Sequence, residues 1–241
     1  MVWKYTEGKA FNMVLTIHTH VKHSHLRQAL QVCDHLLKHK TKLDSYDFVS
    51  ILKAFTFAES LFHGRLIHGY LIMSYGLDQN LYVGNALIHM YMKCGGVMDA
   101  FYVFHDMSSR DIVTWNSMLF GYVNLDKSEM ALCLWKQMHQ DRGVNPDKYT
   151  FVCILKACGS IKALDKGKKT HEEIKSMGLL EKHTILGNAL VDMYAKCGEL
   201  IKAQEVLEQL PARNVVSWSA LIAGYAEHGQ GHEAIDCLQR M

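Results

Sequence analysis

The sequence contains little of what β-rich or fibrous proteins need. Its 241 residues include two prolines, seventeen glycines and 10% aromatic residues, which is too little turn chemistry for a many-stranded sandwich or barrel and too little proline for collagen. No uncharged apolar run reaches the roughly 18 residues of a membrane span. The hydrophobic fraction of 49% is enough to bury a core. The composition therefore favours a helical protein and excludes a disordered chain.

Charge and cysteine content are less decisive. The formal net charge of +2, with fifteen histidines uncounted, is a mild basic bias that neither indicates nor excludes a nucleic-acid partner. The sequence has seven cysteines, an odd number, and the chain is large enough to fold without stabilising disulfide bonds. This predicts buried thiols, a reducing compartment and no disulfides. The N-terminal segment MVWKYTEGKAF has the pattern of neither a signal peptide nor a transit peptide, so it gives no address.

The chain repeats itself at an offset of 103 residues. Three separate pairs of segments share this offset: YDFVSILKA from Tyr46 and YTFVCILKA from Tyr149, LYVGNALIHMYMKCG from Leu81 and TILGNALVDMYAKCG from Thr184, and RDIVTWNSMLFGYV from Arg110 and RNVVSWSALIAGYA from Arg213. Agreement at three places is very unlikely to arise by chance. A period of this kind indicates stacked units.

A shorter period lies inside the 103-residue block. A small residue is followed by apolar residues three, four and seven positions later, which is one face of an amphipathic helix. The small residues are Ala29, Gly64, Ala100, Ala131, Gly167, Ala203 and Ala234, at spacings of 35, 36, 31, 36, 36 and 31. Each is preceded by a second helical segment and a turn. Because a lone helical hairpin cannot bury its apolar stripe, the hairpins must stack, which predicts an all-α fold, an α-solenoid superhelix of about seven units.

The unit boundaries follow from these spacings. Residues 1–9 stay unassigned. The units are 10–44 (degenerate), 45–80 (long), 81–111 (short), 112–147 (standard), 148–183 (long), 184–214 (short) and 215–241 (a truncated standard unit). Because the last unit stops within its second helix, we expect the chain to be a fragment of a longer array.

The segments NALIHMYMKCG, NALVDMYAKCG, VTWNSML and GVNPD, together with the alternating unit lengths, resemble the pentatricopeptide repeat family, and more narrowly its plant subclass of standard, long and short triplets. The resemblance implies sequence-selective binding of single-stranded RNA in mitochondria or chloroplasts, for C-to-U editing-site recognition, splicing or stability. It implies other editing or processing factors as partners, neither a membrane nor duplex DNA, and no cofactor or metal.

The resemblance also implies where bases are read, because one base per repeat can be read by two or three side chains. In the family these are the fifth and the last residue of a unit. Here the matching pairs are Asn85 with Asp111, Asn116 with Asp147, and Asn188 with Asn214, and Ser219 is a fifth residue whose partner lies beyond residue 241. The first two pairs resemble uracil-preferring pairs and the third resembles a pyrimidine pair that leans towards cytosine.

Further roles follow from the same resemblance. Second-position residues would sandwich the bases by apolar contact, namely Tyr82, Val113, Ile185 and Val216. Lys93 and Lys196, thirteenth in the short units, would contact phosphate. The long units carry Val49 with Asn80 and Val152 with His183, and the first unit Val14 with Asp44; because a valine cannot hydrogen-bond a base edge, we assign these units no base.

Structural alternatives compete with several of these roles. The Asp and Asn residues at unit ends are also helix N-caps, and capping alone would explain them. Core packing is the alternative to base stacking for Trp115 and Trp218, and a buried thiol is the alternative to a metal ligand for Cys94 and Cys197. His68 and His171 fit hydrogen-bonded core positions. The cluster of His18, His20, His23 and His25 could bind a metal adventitiously, but no cysteine pair accompanies it.

Two other classes of function are tested by the sequence. A zinc deaminase needs H-x-E and P-C-x-x-C; His171 to Glu173 match the first formally, but no two cysteines are three apart, so we expect no enzyme within this chain and leave open a deaminase after residue 241. A protein-binding scaffold of helical hairpins would keep a fixed unit of 34 residues, whereas units of 31 and 36 alternate here. That scaffold is the remaining alternative.

Overall fold

The structure is a computed structural model that describes residues 3–23, 25–38, 43–75, 79–141 and 143–241. Across these residues it contains helices and no strand. The helices are α1 (Trp3–Lys22), α2 (Leu26–Lys38), α3 (Ser45–Phe57), α4 (Leu61–Tyr75), α5 (Leu81–Lys93), α6 (Val97–Asp106), α7 (Ile112–Asn124), α8 (Ser128–Gln140), α9 (Lys148–Ser160), α10 (Leu164–Ser176), α11 (Thr184–Lys196), α12 (Leu200–Gln209), α13 (Val215–Glu227) and α14 (Gly231–Arg240).

Six helices begin at the residues where the sequence analysis starts a unit. These are Ser45, Leu81, Ile112, Lys148, Thr184 and Val215. The N-terminus differs, because α1 already begins at Trp3, within the segment that the repeat pattern left unassigned. The helical part of the chain therefore extends further towards the N-terminus than the repeat pattern indicates.

Most of these helices begin at a side-chain cap. The carboxylates of Asp44 and Asp147 and the amide oxygen of Asn214 each accept a hydrogen bond from the third backbone N–H of the following helix, and each forms a capping box. Asn80 caps α5 through two backbone N–H groups, whereas His183 makes no side-chain cap. Such caps satisfy backbone donors that a helix leaves free at its start.

In each of the six hairpin turns from the α3–α4 turn to the α13–α14 turn, one residue adopts a left-handed backbone conformation. It is glycine in three turns, Gly95, Gly198 and Gly229, with φ of 78°, 83° and 74°. In the other three turns it is Glu59, Asp126 or Lys162, with φ of 50–55°. Because these six residues hold the same position in their units, the hairpin geometry is the same whether or not glycine is present, and glycine only lowers its cost.

The chain divides into two compact units, residues 1–121 and 122–241. In the first, α1, α3 and α5 pack side by side, while α2, α4 and α6 each pack against the helix that precedes them. In the second, α9, α11 and α13 pack side by side, with α10, α12 and α14 as their hairpin partners and α8 against α9. Each unit is thus a row of hairpins in which contacts join successive helices.

The cores of the two units are mainly apolar, and they include the side chains of Trp115 and Trp218. Trp115 and Trp218 are buried, and Trp115 packs edge-on against Phe104 with ring centroids 4.9 Å apart. Both tryptophans are therefore packing residues. None of the described helices has the length and apolar character needed to cross a bilayer.

The cysteines differ in part from expectation. All seven are free thiols, but only Cys33, Cys153, Cys158 and Cys237 are buried. Cys94 and Cys197 are half-buried at the C-terminal ends of α5 and α11, and Cys133 is exposed on α8. The prediction of buried thiols was therefore wrong for Cys94, Cys133 and Cys197, and the first and last of these occupy helix C-caps, where the chain turns out of the core.

Candidate nucleic-acid interface

Asn85 and Asp111 lie in direct contact. Asn85 is the fifth residue of α5, and Asp111 immediately precedes α7. The side-chain amide of Asn85 donates from Nδ2 to Oδ1 of Asp111 over 3.2 Å. The first helix of one repeat and the start of the next thus bring together an amide and a carboxylate that stand 26 positions apart in the sequence.

Thr114, which the sequence analysis did not single out, holds this pair. Its hydroxyl donates to Oδ1 of Asn85 over 2.6 Å, and its backbone N–H donates to Oδ1 of Asp111 over 2.8 Å. Because its amide oxygen accepts from Thr114, the Asn85 side chain must point its NH₂ group towards Asp111. A hydroxyl three residues after the end of a unit was the signal that could have identified Thr114.

The Asp111 carboxylate is stabilised in its charged form. Burial alone raises a carboxyl pKa, but the hydrogen bonds that Asp111 accepts from the backbone N–H groups of Thr114 and Val113 and from the Asn85 amide outweigh it, so that the pKa of Asp111 lies below its ordinary value. Asp111 is therefore an ionised acceptor at neutral pH that also caps α7 through the Thr114 N–H. Capping and contact with Asn85 coexist at this residue.

An open groove of about 320 Å³ lies beside the pair, between α3, α5 and α7. Its lining residues are Val49, Lys53, Thr56, Tyr82, Asn85, Ala86, His89, Val113 and Ser117. Tyr82 and Val113 are large apolar side chains that are 74% and 52% exposed. Such exposure is unusual for packing residues, and it leaves two apolar surfaces free on the same groove as an amide.

The equivalent pair in the second unit is arranged differently. Asn214 caps α13, and the hydroxyl of Ser217, at the position of Thr114, donates to the backbone oxygen of Asn214 over 2.8 Å. Oδ1 of Asn188 is buried without a hydrogen-bond partner. Ser217 lacks the β-branch that restricts the Thr114 rotamer, so its hydroxyl turns to its own cap. The structure does not join Asn188 to Asn214.

The remaining predicted residues lie on first helices or at their starts. Asn116 is half-buried on α7, Asp147 caps α9 through two backbone N–H groups, and Ser219 is exposed on α13. Ile185 of α11 and Val216 of α13 are exposed, as Tyr82 and Val113 are. All four second-position residues thus present apolar surface to solvent.

Both predicted phosphate-contacting lysines are ion-paired. The Nζ of Lys93 lies 3.3 Å from Oε1 of Glu59, and that of Lys196 lies 2.8 Å from Oδ2 of Asp192. The Lys93–Glu59 pair is solvent-exposed, and the Lys196–Asp192 pair is partly exposed. Exposed pairs of this kind are worth at most about 1 kcal/mol, so a phosphate can replace either carboxylate.

The histidines are structural where they are buried. Nδ1 of His68 and the hydroxyl of Tyr91 lie 2.8 Å apart, and Nδ1 of His171 and the hydroxyl of Tyr194 lie 2.9 Å apart. These contacts agree with the prediction of hydrogen-bonded core positions. Among the described residues no three His, Cys, Asp or Glu side chains are placed to hold a metal ion, and this includes the histidines near the end of α1.

Models of one repeat family match the segments that carry these residues. The model described as PPR repeat matches residues 85–112, 188–215 and 216–241, and the model described as PPR repeat family matches residues 110–160, together more than half of the chain. The chain belongs to the pentatricopeptide repeat family. Its repeats are the family's helical hairpins, as the segments NALIHMYMKCG and NALVDMYAKCG predicted.

Curated pentatricopeptide repeat proteins of Arabidopsis thaliana are similar over most of the chain. The chloroplastic protein At4g25270 is 39% identical over 196 residues, which is 80% of this chain and 37% of the relative. The mitochondrial protein At3g13770 is 32% identical over 217 residues, 90% of this chain and 34% of the relative. The chain thus spans little more than a third of the length of these relatives.

The fold is also that of a solved pentatricopeptide repeat structure. The crystal structure of the protein PPR10 in complex with an 18-nt psaJ RNA element matches 96% of this chain and 35% of PPR10, with a TM-score of 0.76 and 20% identity. The agreement confirms the all-α solenoid fold that the seven apolar stripes predict.

Proposed function

We propose that this chain binds single-stranded RNA with sequence selectivity, one base per repeat, and serves RNA processing in an organelle. The observation that carries the proposal is the contact between Asn85 and Asp111, fixed by Thr114, on a groove with two exposed apolar side chains. A protein-binding scaffold has no need of an oriented amide and carboxylate at this point.

The pair has the hydrogen-bonding capacity that a uracil edge requires. Uracil offers carbonyl oxygens as acceptors and one ring N–H as donor. Asn85 retains an amide proton beyond the one given to Asp111, and Oδ2 of Asp111 takes no part in the contacts with Asn85 and Thr114, which use Oδ1. A uracil that accepts from Asn85 and donates to Asp111 is satisfied at both positions.

Tyr82 and Val113 would hold the base between them. Both line the groove, and they come from the second positions of successive repeats. Every base has an apolar face, so stacking on an aromatic ring adds affinity without selecting a base. Asn85 and Asp111 would then select the base, and Tyr82 and Val113 would add affinity.

The same roles extend to the other repeats of the array. Asn116 with Asp147 reads a second uracil, Asn188 with Asn214 reads a pyrimidine with a lean towards cytosine, and Ser219 belongs to the next slot. Ile185 and Val216 flank bases as Tyr82 and Val113 do, and Lys93 and Lys196 contact phosphate. From Leu81 to Asn214 the preferred RNA, read 5′ to 3′, is U, U, any base, then C or U.

The cellular setting of the proposal comes from the relatives. The names of similar Arabidopsis proteins carry chloroplastic and mitochondrial locations, and the alternation of 36, 36 and 31 residues supports the subclass of standard, long and short triplets. We propose a plant organelle as the location and editing-site recognition, splicing or stability as the process. The chain acts as the recognition module, with catalysis, where it is needed, supplied by another factor.

A reciprocal pair of substitutions tests the base-reading role. Asp111→Asn should move the first slot from uracil towards cytosine, and Asn214→Asp should move the last slot from cytosine towards uracil, because an ionised aspartate only accepts hydrogen bonds whereas asparagine also donates. We expect each shift to be about 1 kcal/mol, or about fivefold in relative affinity. Competition binding with RNAs that differ at one base measures it.

The controls separate reading from capping and from scaffold binding. Asp44→Asn changes a cap in a repeat to which no base is assigned, so it should leave base preference unchanged. Both exchanges keep a competent N-cap, so thermal stability should hardly change. Equal affinity of the wild-type chain for single-stranded RNA and duplex DNA would contradict the proposed function and favour a scaffold.

A further inference from the structure

Two basic residues line the groove beside Asn85, and the proposed function gives neither of them a role. Lys53, on α3 of the long repeat, lines the groove together with His89 of α5. His89 follows Asn85 by one helical turn, and Lys93 follows His89 by another. Two basic side chains from adjacent repeats therefore line the groove, and Lys93 lies one helical turn beyond His89 on α5.

The surroundings of His89 disfavour its charged form in the free chain. The pKa of His89 lies below its ordinary value, because desolvation of the ring disfavours its charged form and the charges of Lys93 and Lys53 disfavour it further. Among the described residues, the carboxylate that pairs with a member of this cluster is that of Glu59, which lies against Lys93. Lys53 and His89 thus form a pair of basic groups that an anion in the groove would stabilise.

We propose that Lys53 and His89 form a phosphate-binding site for the RNA backbone next to the base held by Asn85 and Asp111. This inference rests on the proposed function and gives the long repeat a task. Val49 offers nothing to a base edge, but its helix carries Lys53 one turn further on, into the same groove. The long repeat reads no base and anchors the strand beside the short repeat that does.

The second unit contains a natural comparison for this site. At the 103-residue offset Lys53 becomes Lys156, but His89 becomes Asp192, whose carboxylate pairs with Lys196. A carboxylate repels phosphate where an imidazole can accept a proton and attract it. The phosphate site of the first unit is therefore the stronger of the two.

The first measurement is fluorescence anisotropy of a 5′-labelled twelve-residue oligouridine at 50 mM salt and pH 7.5. One phosphate contact on a single strand contributes about 0.7 to the slope of log affinity against log salt. Between 1 M and 50 mM salt, this contribution amounts to about eightfold in affinity. Lys53→Ala should lose about that much. Lys136→Ala, which removes an exposed lysine on the second helix α8, should bind as the wild type does.

The second measurement is the pH dependence of the same binding. A phosphate beside His89 raises the pKa of the ring, so binding takes up a proton and the affinity should rise as pH falls from 7.5 to 5.5. The charged groups near the ring are Lys53 on α3 and Lys93 on its own helix, with Glu59 bound to Lys93; α7 contributes the non-titrating Val113 and Ser117. His89→Gln should bind with a weaker pH dependence, and Asp192→His should strengthen it.

The third measurement assigns the contact to the backbone. Replacing single linkages of the oligouridine with uncharged methylphosphonates should weaken wild-type binding at one linkage most, and this effect should vanish in Lys53→Ala. Circular dichroism of each variant shows that its helices are retained. If the wild-type chain binds RNA and Lys53→Ala has the same affinity and salt slope, this inference alone is overturned. If the wild-type chain binds no single-stranded RNA, the proposed function is overturned as well.

Discussion

His171 is a buried histidine whose surroundings disfavour its charged form. The ring lies between α10 and α11, is 8% exposed and hydrogen-bonds the Tyr194 hydroxyl. Burial lowers its pKa, with Lys202 and Lys175 adding to the effect and Glu172 opposing it. Burial likewise raises the pKa of Tyr194 to about 12. Both groups are therefore neutral in the native state at physiological pH.

This environment predicts a loss of stability on mild acidification. Because the native pKa of His171 lies below the unfolded value of about 6.5, the unfolded chain binds more protons in that window, and the free energy of unfolding falls as pH drops from about 7 to 5. The slope from one such group is at most about 1.4 kcal/mol per pH unit. His171→Gln should flatten the dependence, as urea unfolding at several pH values would measure.

A matched substitution controls for the other histidines. His232→Gln changes an exposed ring on α14 and should give a pH dependence of unfolding like that of the wild type. If His171→Gln also leaves the dependence unchanged, then proton uptake on unfolding comes from other groups, and the buried pair is not the source of acid sensitivity.

At the scale of the helices, a glycine lets the second helix of one hairpin pack closely against the first helix of the next hairpin. A Cβ added to Gly64 of α4 would collide with the side chain of Met90 on α5, and one added to Gly167 of α10 would collide with the side chain of Met193 on α11. Both methionines are fully buried, so they have little room to move. A glycine at this position is therefore a packing requirement in each long repeat.

Two alanine substitutions in one helix test this requirement. Gly64→Ala should destabilise the chain by about 1–2 kcal/mol, because overpacking in a filled contact outweighs the helix propensity that alanine adds. Gly69→Ala, on the same helix with nothing within 4 Å of the added Cβ, should stabilise it by about 0.5–1 kcal/mol. Chemical unfolding of both variants measures the difference, and two changes of the same sign would show that α4 is not held close to α5 by Gly64.

The sequence was sufficient for the elements and insufficient for some side-chain details. The alternation of 31 and 36 residues located the first helices, because amphipathic periodicity and N-caps are local signals. It missed the start of α1 at Trp3, where no repeated stripe marks the helix. The sequence also could not distinguish Asn85 from Asn188. The Thr114 hydroxyl donates to Asn85, whereas the Ser217 hydroxyl donates to Asn214 and not to Asn188. These rotamers are set by three-dimensional packing.

Across the whole molecule, the 103-residue period is also a period of contacts. The long repeat 45–80 meets its short neighbour through Gly64 against Met90 and His68 with Tyr91, and the long repeat 148–183 meets its own through the residues 103 positions later. In a stack where each repeat contacts its neighbours, stability is approximately a sum of repeat and interface contributions. Equivalent interfaces should then be interchangeable.

A deletion of residues 81–183 tests this interchangeability. It joins Asn80 to Thr184, so that Gly64 faces Met193 and His68 faces Tyr194, which are the same residue types as in the intact chain. We expect the shortened protein to keep its helicity per residue and to melt cooperatively, as circular dichroism at 222 nm would show. Asn80 also supplies the side-chain cap that His183 does not provide for α11.

The matched control removes a different number of repeats. Deleting residues 81–147 joins one long repeat to another, which places Ala157 and Cys158 where Met90 and Tyr91 stood. His68 then loses its hydroxyl partner and Gly64 faces a cavity, so this variant should be less stable than the 103-residue deletion by about 3 kcal/mol or more, although it retains more residues. Equal melting temperatures would mean that the pairing of long with short repeats does not determine the interface, and that the alternation of repeat lengths serves the ligand and not the fold.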